Sequence, residues 1–182
     1  MPVSLTGRRV LIRSPRAEDE AQFTALARAS RAFHAGWISP ASTPQAYAAY
    51  LRRNDGADLE ACLICRRDDG ALVGCATLSQ IFMGPFRNAY LGYWAGAAYA
   101  GQGYMTEGVG LVLAHAFRVL KLHRVEANLQ PENAASRALV QRLGFRLEGY
   151  SPRYLKVAGR WRDHERWAIT REEFRLPRAR RN

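Results

Sequence analysis

YLGYWAGAAYAGQGYMTEGVGLVLAHAFRVL, from Tyr90 to Leu120, decides the fold. Its start continues a strand-like run, Arg87–Trp94. A glycine turn follows at Ala100-Gly101-Gln102-Gly103, and then Met105, Val109, Val112, Ala116 and Leu120 recur at spacings of three or four, with Leu113 and Phe117 beside them. That period is helical. A strand, a glycine turn and a helix in this order build an anion site, because the unbonded amides and the positive end of the helix dipole point at one place. Gly101 and Gly103 lack a Cβ, so a phosphate can approach the chain closely. A dinucleotide fingerprint would need glycine where Thr106 stands, and a P-loop would need Gly-Lys where Gly108-Val109 stand.

Outward from this stretch the pattern is regular. His123–Gln130 alternates, with Val125, Ala127 and Leu129 on one face, and Pro131–Leu143 reads as a short helix stopped by Gly144. Phe145–Leu155 and Arg162–Thr170 read as strands flanking a turn at Ala158-Gly159. Upstream, Asp68-Asp69-Gly70 joins strands Leu59–Arg66 and Leu72–Gln80. Pro44–Arg53 is a helix with proline in its first turn after Thr43. The β-like run Arg8–Arg13 breaks at Ser14-Pro15; Glu18, Asp19 and Glu20 then open a helix to about Ala29, and Phe33–Pro40 is a loop bearing Trp37. The order predicts one α+β (mixed α/β) domain over residues 1–175, followed by a basic tail at 176–182.

The chain has 182 residues, 48% of them hydrophobic, enough for a core without metal or disulfide staples. Three cysteines, Cys62, Cys65 and Cys75, make no disulfide framework and fit a reducing compartment. With no long apolar run and no signal-like start, a cytoplasmic location is expected, without a membrane partner. The net charge is +11, and from Arg137 onward 13 basic residues face 5 acidic ones. Such a field favours polyanions: a nucleotide-bearing cosubstrate, RNA or a ribonucleoprotein. A solvated basic face is the alternative.

The glycine turn resembles the pyrophosphate loop of the GNAT superfamily of acyl-CoA-dependent N-acyltransferases, Gln/Arg-x-x-Gly-x-Gly/Ala. Gly103 matches the middle glycine, while Ala100 and Met105 depart at the two ends. LGYW (Leu91–Trp94), GQGYMTEG (Gly101–Gly108), HRVEANLQPENAASRALVQRLGF (His123–Phe145), LEGY (Leu147–Tyr150) and GRWRDH (Gly159–His164) follow in the order of one branch. That branch is the ribosomal-protein N-terminal acetyltransferases, especially the alanine acetyltransferase of small-subunit protein S5.

The resemblance implies a central mixed sheet splayed between its fourth and fifth strands, flanked by about four helices, with acetyl-CoA as cosubstrate and no metal. Main-chain groups of Tyr93, Trp94 and Ala95 are expected along the pantetheine arm, and the amides of Gly101, Gln102, Gly103, Tyr104, Met105, Thr106 and Glu107 around the pyrophosphate. Asn133 is expected near the thioester, and Ser136 at the departing thiolate; a plain helix-cap hydrogen bond is the alternative for Ser136. Many relatives carry a glutamate at the position of Tyr90, and others an acid at that of Arg153, so the general base is not evident. Ser136, Tyr90 and His164 stand as the catalytic candidates, with His164 near the acceptor cleft.

The implied chemistry is aminolysis of a thioester, which needs an uncharged amine and a donor for the oxyanion; a strand amide near Trp94 or Ala95 is the expected donor. Freeing an α-amine of pKa 7.7–8.0 at pH 7 costs roughly 1 kcal/mol, and freeing a lysine roughly 4–5 kcal/mol. A site without an evident carboxylate suits the α-amine, so the expected partner is a protein N-terminus on a ribosomal protein or ribosome, with RNA contact through the basic C-terminal region. A small-molecule amine (polyamine or antibiotic) and a non-catalytic RNA- or ribosome-binding protein on the same fold stay open.

Other residues read as structural. His115 and His123 fit packing, Glu107 fits the helix dipole, and Gly108 and Gly110 fit close helix packing. Cys62-x-x-Cys65 places its thiols on opposite sides of a strand, against metal binding. His34 lies in the aromatic loop with Phe33 and Trp37, where relatives admit substrate.

Overall fold

A computed structural model describes residues 3–54 and 56–176. Eight strands form one sheet: β1 (Ser4–Thr6), β2 (Val10–Arg13), β3 (Leu59–Arg66), β4 (Leu72–Phe82), β5 (Asn88–Ala95), β6 (Arg124–Leu129), β7 (Arg146–Val157) and β8 (Arg160–Thr170). Their order is β1-β2-β3-β4-β5-β6-β8-β7. Five helices accompany them: α1 (Glu20–Ala29), α2 (Arg31–His34), α3 (Pro44–Arg53), α4 (Tyr104–Arg118) and α5 (Ala134–Arg142). The mixed α/β class stands as expected. The additional strand β1 shifts the numbering, so the splayed pair expected as strands four and five is β5 and β6.

Local chemistry explains the boundaries. The Thr43 side chain accepts from Ala46 N, and Pro44 opens α3. Gly144, at φ +89, ends the segment after α5. The expected helix from Pro131 begins instead at Ala134, because Asn133 takes the cap. Part of the expected Phe33–Pro40 loop belongs to α2, which ends at His34.

The two faces are covered unequally. On one, α4 and α5 bury Val109, Val112 and Leu113 against Ile64, Val73, Val125, Ala127 and Ile169. A Cβ on Gly108 would lie 2.5 Å from Ile64, so the glycine lets α4 sit close on β3. On the other face, Phe23 and Tyr47 of α1 and α3 close over Leu63, Cys65, Cys75 and Trp94. Cys62 lies in the first core and Cys65 in the second, on opposite faces as expected.

Every strand pair is antiparallel except β5–β6, where Asn88, Ala89 and Tyr90 pair with Arg124, Val125 and Glu126. Beyond that rung β5 continues against β4 alone, and β6 against β8 alone. The resulting V lies beside the N-terminus of α4, the helix that connects its two arms.

Candidate active site

The glycine turn is shaped by backbone conformation. Gly101 and Gly103 have φ +74 and +82, a left-handed region that costs other residues roughly 1–2 kcal/mol. No protein atom lies within 4 Å of a Cβ built at either position, so the space over the turn is open. Gly103 caps α4, and Glu107 N donates to Gly103 O at 3.2 Å. The amides of Tyr104, Met105 and Thr106 precede that bond and are unused by the helical ladder.

The side chains around the turn are engaged in holding it. Gln102 Nε2 donates to Ala98 O at 2.7 Å, and Arg9 Nη2 donates to Gln102 O at 2.7 Å. The Arg9 guanidinium lies 4.1 Å over the Tyr104 ring. Glu107 Oε1 accepts from Arg9 N at 2.8 Å, which ties α4 to the start of β2, and Met105 is buried. Gly101 to Glu107 thus form one turn at the head of α4 in which the side chains of Gln102 and Glu107 are engaged and the first main-chain amides of the helix are not.

Gly96 N donates to Val73 O of β4 at 2.7 Å. In the alternation of an antiparallel pair Trp94 then also faces β4, whereas the main chains of Tyr93 and Ala95 turn into the V. Of the three expected pantetheine contacts, Tyr93 and Ala95 are the ones that line the gap. The Trp94 indole is buried edge-on against Phe23, with centroids 5.1 Å apart. His34 Nε2 donates to Ala95 O at 2.8 Å, while Gln130 Nε2, just past β6, donates to Gly36 O at 3.0 Å. One short segment thus ties both arms of the V.

At the start of α5, Asn133 Oδ1 accepts from Ser136 N at 3.1 Å. The capping side chain is Asn133; the Ser136 hydroxyl is not part of the cap. Ser136 O also accepts from Tyr93 Oη at 3.3 Å, and burial pushes the Tyr93 phenol up to about 12. Asn133 and Ser136 thereby stand beside the β5 arm.

Tyr90 and His164 lie on the face that α4 and α5 do not cover, with Tyr154 between them. Tyr90 stands in register with Glu126. Burial and then the Glu126 charge raise the Tyr90 pKa, so at neutral pH the phenol keeps its proton; Tyr154 lies next to it. The Tyr154 and His164 rings are 6.1 Å apart, and His164 is buried with Nδ1 3.0 Å from Arg162 O. Arg124 holds Glu126 at 2.9 Å and also pairs with Glu148. Asn128, two residues beyond Glu126 on the same face, has a buried Oδ1 without a hydrogen-bond partner among the described residues.

Glu126 and Asn128 were not among the expected site residues. The alternation that buries Val125, Ala127 and Leu129 also places Arg124, Glu126 and Asn128 opposite them, so a signal existed for the face but none for the pairing with Tyr90. His115 and His123 are engaged by Glu60 at 3.0 Å and Glu172 at 3.2 Å. The expected tail, apart from Leu176, lies outside the described residues.

Comparison with known proteins fits this geometry. The model of an acetyltransferase (GNAT) domain matches residues 9–146. The probable N-acetyltransferase YjcK of Bacillus subtilis is 42% identical over 101 residues, 56% of this chain and 56% of that protein. The ribosomal protein uS5 alanine N-acetyltransferase of Escherichia coli is 37% identical over 107 residues, 59% of this chain and 55% of that protein. The matches thus span little more than half the length of these curated relatives. Among solved structures, Mycobacterium smegmatis RimJ in complex with CoA-disulfide superposes with a TM-score of 0.82 and 32% identity, covering 93% of this chain and 85% of that one. No helix among the described residues is long and apolar enough to cross a membrane.

Proposed function

The chain belongs to the GNAT acetyltransferase family, and from that premise we propose that it moves an acetyl group from acetyl-CoA to a protein N-terminal α-amine, of the ribosomal-protein alanine type. One observation carries the reading: the open glycine turn, with its unused amides at the head of α4, stands beside a V whose far face holds a compact polar cluster. The likeness to a uS5 alanine acetyltransferase and to a CoA-bound RimJ supports the choice of cosubstrate and acceptor.

The residues fit the cosubstrate. The space over Gly101 and Gly103 is open, the amides of Tyr104, Met105 and Thr106 at the head of α4 receive the pyrophosphate there, and the Tyr93 and Ala95 main chains line the V for an extended amide-bearing arm. Acetyl-CoA supplies the thioester carbonyl and a thiolate leaving group. The acceptor nitrogen, deprotonated, forms the new C–N bond while the C–S bond breaks. The Glu126 carboxylate beside Tyr90 takes the amine proton, directly or through water, and the protonated Tyr90 phenol orients it. The Asn128 Oδ1 lone pairs receive an N–H of the incoming amine. The Ser136 hydroxyl, free of the α5 cap, donates to the departing sulfur.

Thiol release from acetyl-CoA with an Ala-initiated peptide, the same peptide blocked at its N-terminus but carrying lysine, and spermidine tests the reading. Preference for the free α-amine is expected. A better rate with the blocked lysine peptide or spermidine replaces the acceptor class. RNA affinity without thiol release from any acceptor removes the enzymatic reading.

A further inference from the structure

The β7–β8 hairpin carries three arginines, Arg160, Arg162 and Arg166, that the catalytic reading does not use. On β8, His164 and Arg166 face the Tyr90–Glu126 side, because their neighbours Glu165 and Trp167 face α5: Glu165 pairs with Arg137 of α5, and Trp167 lies in the α4–α5 core. The alternation of a strand adds Arg160 and Arg162 to the row. Arg166 stands opposite Asn128, and a Cβ on Gly149 would lie 2.7 Å from Arg166 Nη2, so the guanidinium is laid across that glycine on the same face. Arg160, Arg162 and Arg166 are exposed and make no ion pair with the described residues. The acids nearest the floor are already held, Glu126 and Glu148 by Arg124, and Glu148 also by Arg146.

The row points outward from the V. β8 runs antiparallel to β6, Ala168 stands level with Glu126, and Glu165 stands level with Leu129, where β6 ends. His164, Arg162 and Arg160 therefore lie progressively beyond the mouth. Alternate strand residues are about 6.6 Å apart. An extended peptide has the same repeat in its own alternate side chains. A chain whose amine reaches Glu126 thus passes Arg166 first and Arg162 and Arg160 later.

We infer that the β7–β8 hairpin reads the acceptor sequence and selects N-termini with acidic side chains at alternate positions after the first few residues. The inference rests on the α-amine reading and names the substrate class of that site. Carboxylates at such positions meet unpaired guanidiniums in bidentate geometry, whereas basic side chains meet like charge. A polypeptide is favoured over RNA because the cations border the cluster that receives the amine.

Three Ala-initiated heptapeptides, identical except for Glu, Gln or Arg at positions three, five and seven, test this by thiol release. Their N-acetylated forms, labelled at the C-terminus, report binding by fluorescence anisotropy without turnover. The Glu peptide is expected to exceed the Arg peptide in kcat/KM by about tenfold, mainly through KM, with the gap narrowing as salt rises. The double variant Arg160→Glu, Arg162→Glu, checked for fold by circular dichroism, is expected to invert the order; Arg160→Gln, Arg162→Gln is expected to flatten it. Equal rates and equal binding for the three peptides, or preference for Arg, overturn the inference and leave the α-amine reading intact. Turnover of spermidine with none of the peptides removes the α-amine reading, while the anisotropy series still decides the charge preference. A single-stranded RNA oligonucleotide that binds more tightly than the acetylated Glu peptide, and is lost in the same variants, assigns the row to nucleic acid and overturns the peptide.

Discussion

Tyr90 of β5 and Glu126 of β6 stand side by side on the last paired rung of the parallel β5–β6 ladder, immediately before the two strands part. A carboxylate is thus present at the apex of the V, one strand away from Tyr90. If Glu126 accepts the amine proton, Glu126→Gln lowers kcat/KM by about 10²-fold, within the usual range for a lost general base. Acetyl-CoA affinity, measured by calorimetry, is expected to stay at the wild-type value, because the amides proposed for the pyrophosphate belong to the head of α4 and not to the Tyr90–Glu126 pair. Tyr90→Phe costs less, since it removes an orienting donor. Wild-type turnover in Glu126→Gln takes this residue out of the proton path.

The glycine turn separates a backbone role from a steric one. At Gly103 a side chain meets no protein atom within 4 Å, so Gly103→Ala pays only for its φ of +82, about 1–2 kcal/mol. Asparagine tolerates that region, and Gly103→Asn is expected to recover most of the thermal stability. Its CoA affinity is nonetheless expected to fall at least about tenfold, because the open space over the turn is the site proposed for the phosphates. Full CoA affinity in a stable Gly103→Asn protein places the anion elsewhere.

Much of this arrangement was legible in the chain because its periods are long and unbroken. The spacing of Met105, Val109, Val112 and Ala116 leaves only a helix, and the alternation at Val125, Ala127 and Leu129 leaves only a strand with one buried face. β1 was not legible: Ser4–Thr6 is three residues long, too short for a period, and pairs in the sheet with β2 alone. The start of α5 was misplaced because Pro131 looks like a first-turn proline, whereas the side chain that satisfies the helix amides belongs to Asn133. The site divided along the same line. The glycine turn is contiguous and was visible, but the Tyr90–Glu126 pair is made by a crossover and a register, neither of which leaves a local mark. His34 was visible only as part of an aromatic loop; its bond to Ala95 O depends on how α2 folds back over the end of β5.

Asn133 and Ser136 make opposite predictions although they share a hydrogen bond. Asn133→Ala removes the α5 cap and is expected to cost about 1 kcal/mol, a fall of roughly 2–4 °C in Tm for a domain of this size. Ser136→Ala leaves the cap in place, since the Ser136 group used there is its amide, so Tm is expected to hold while kcat falls. Thermal melts with single-turnover rates on the same two proteins check the split. A Tm loss in Ser136→Ala with undiminished kcat reassigns Ser136 to holding the helix.

The ion pairs that Glu148 makes with Arg124 and Arg146 make stability depend on pH. The hydrogen bond from Arg124, aided by Arg146 and opposed by partial burial, holds Glu148 down to about 2. A carboxylate lowered on folding contributes fully above its unfolded pKa and loses that contribution as pH falls through the folded one. For Glu148 the window runs from about pH 4.5 to about pH 2. Asp19 adds to the same slope: burial alone would raise its pKa, but hydrogen bonds from Arg13 and from Arg16 N outweigh it and leave it lowered. Urea midpoints are therefore expected to decline as pH drops across that window. In Glu148→Gln the decline is expected to be shallower, because the residue that titrates there is gone, although the variant starts lower near neutrality with Arg124 held by Glu126 alone. Parallel declines for wild type and Glu148→Gln assign the acid sensitivity to other carboxylates, Asp19 first among them.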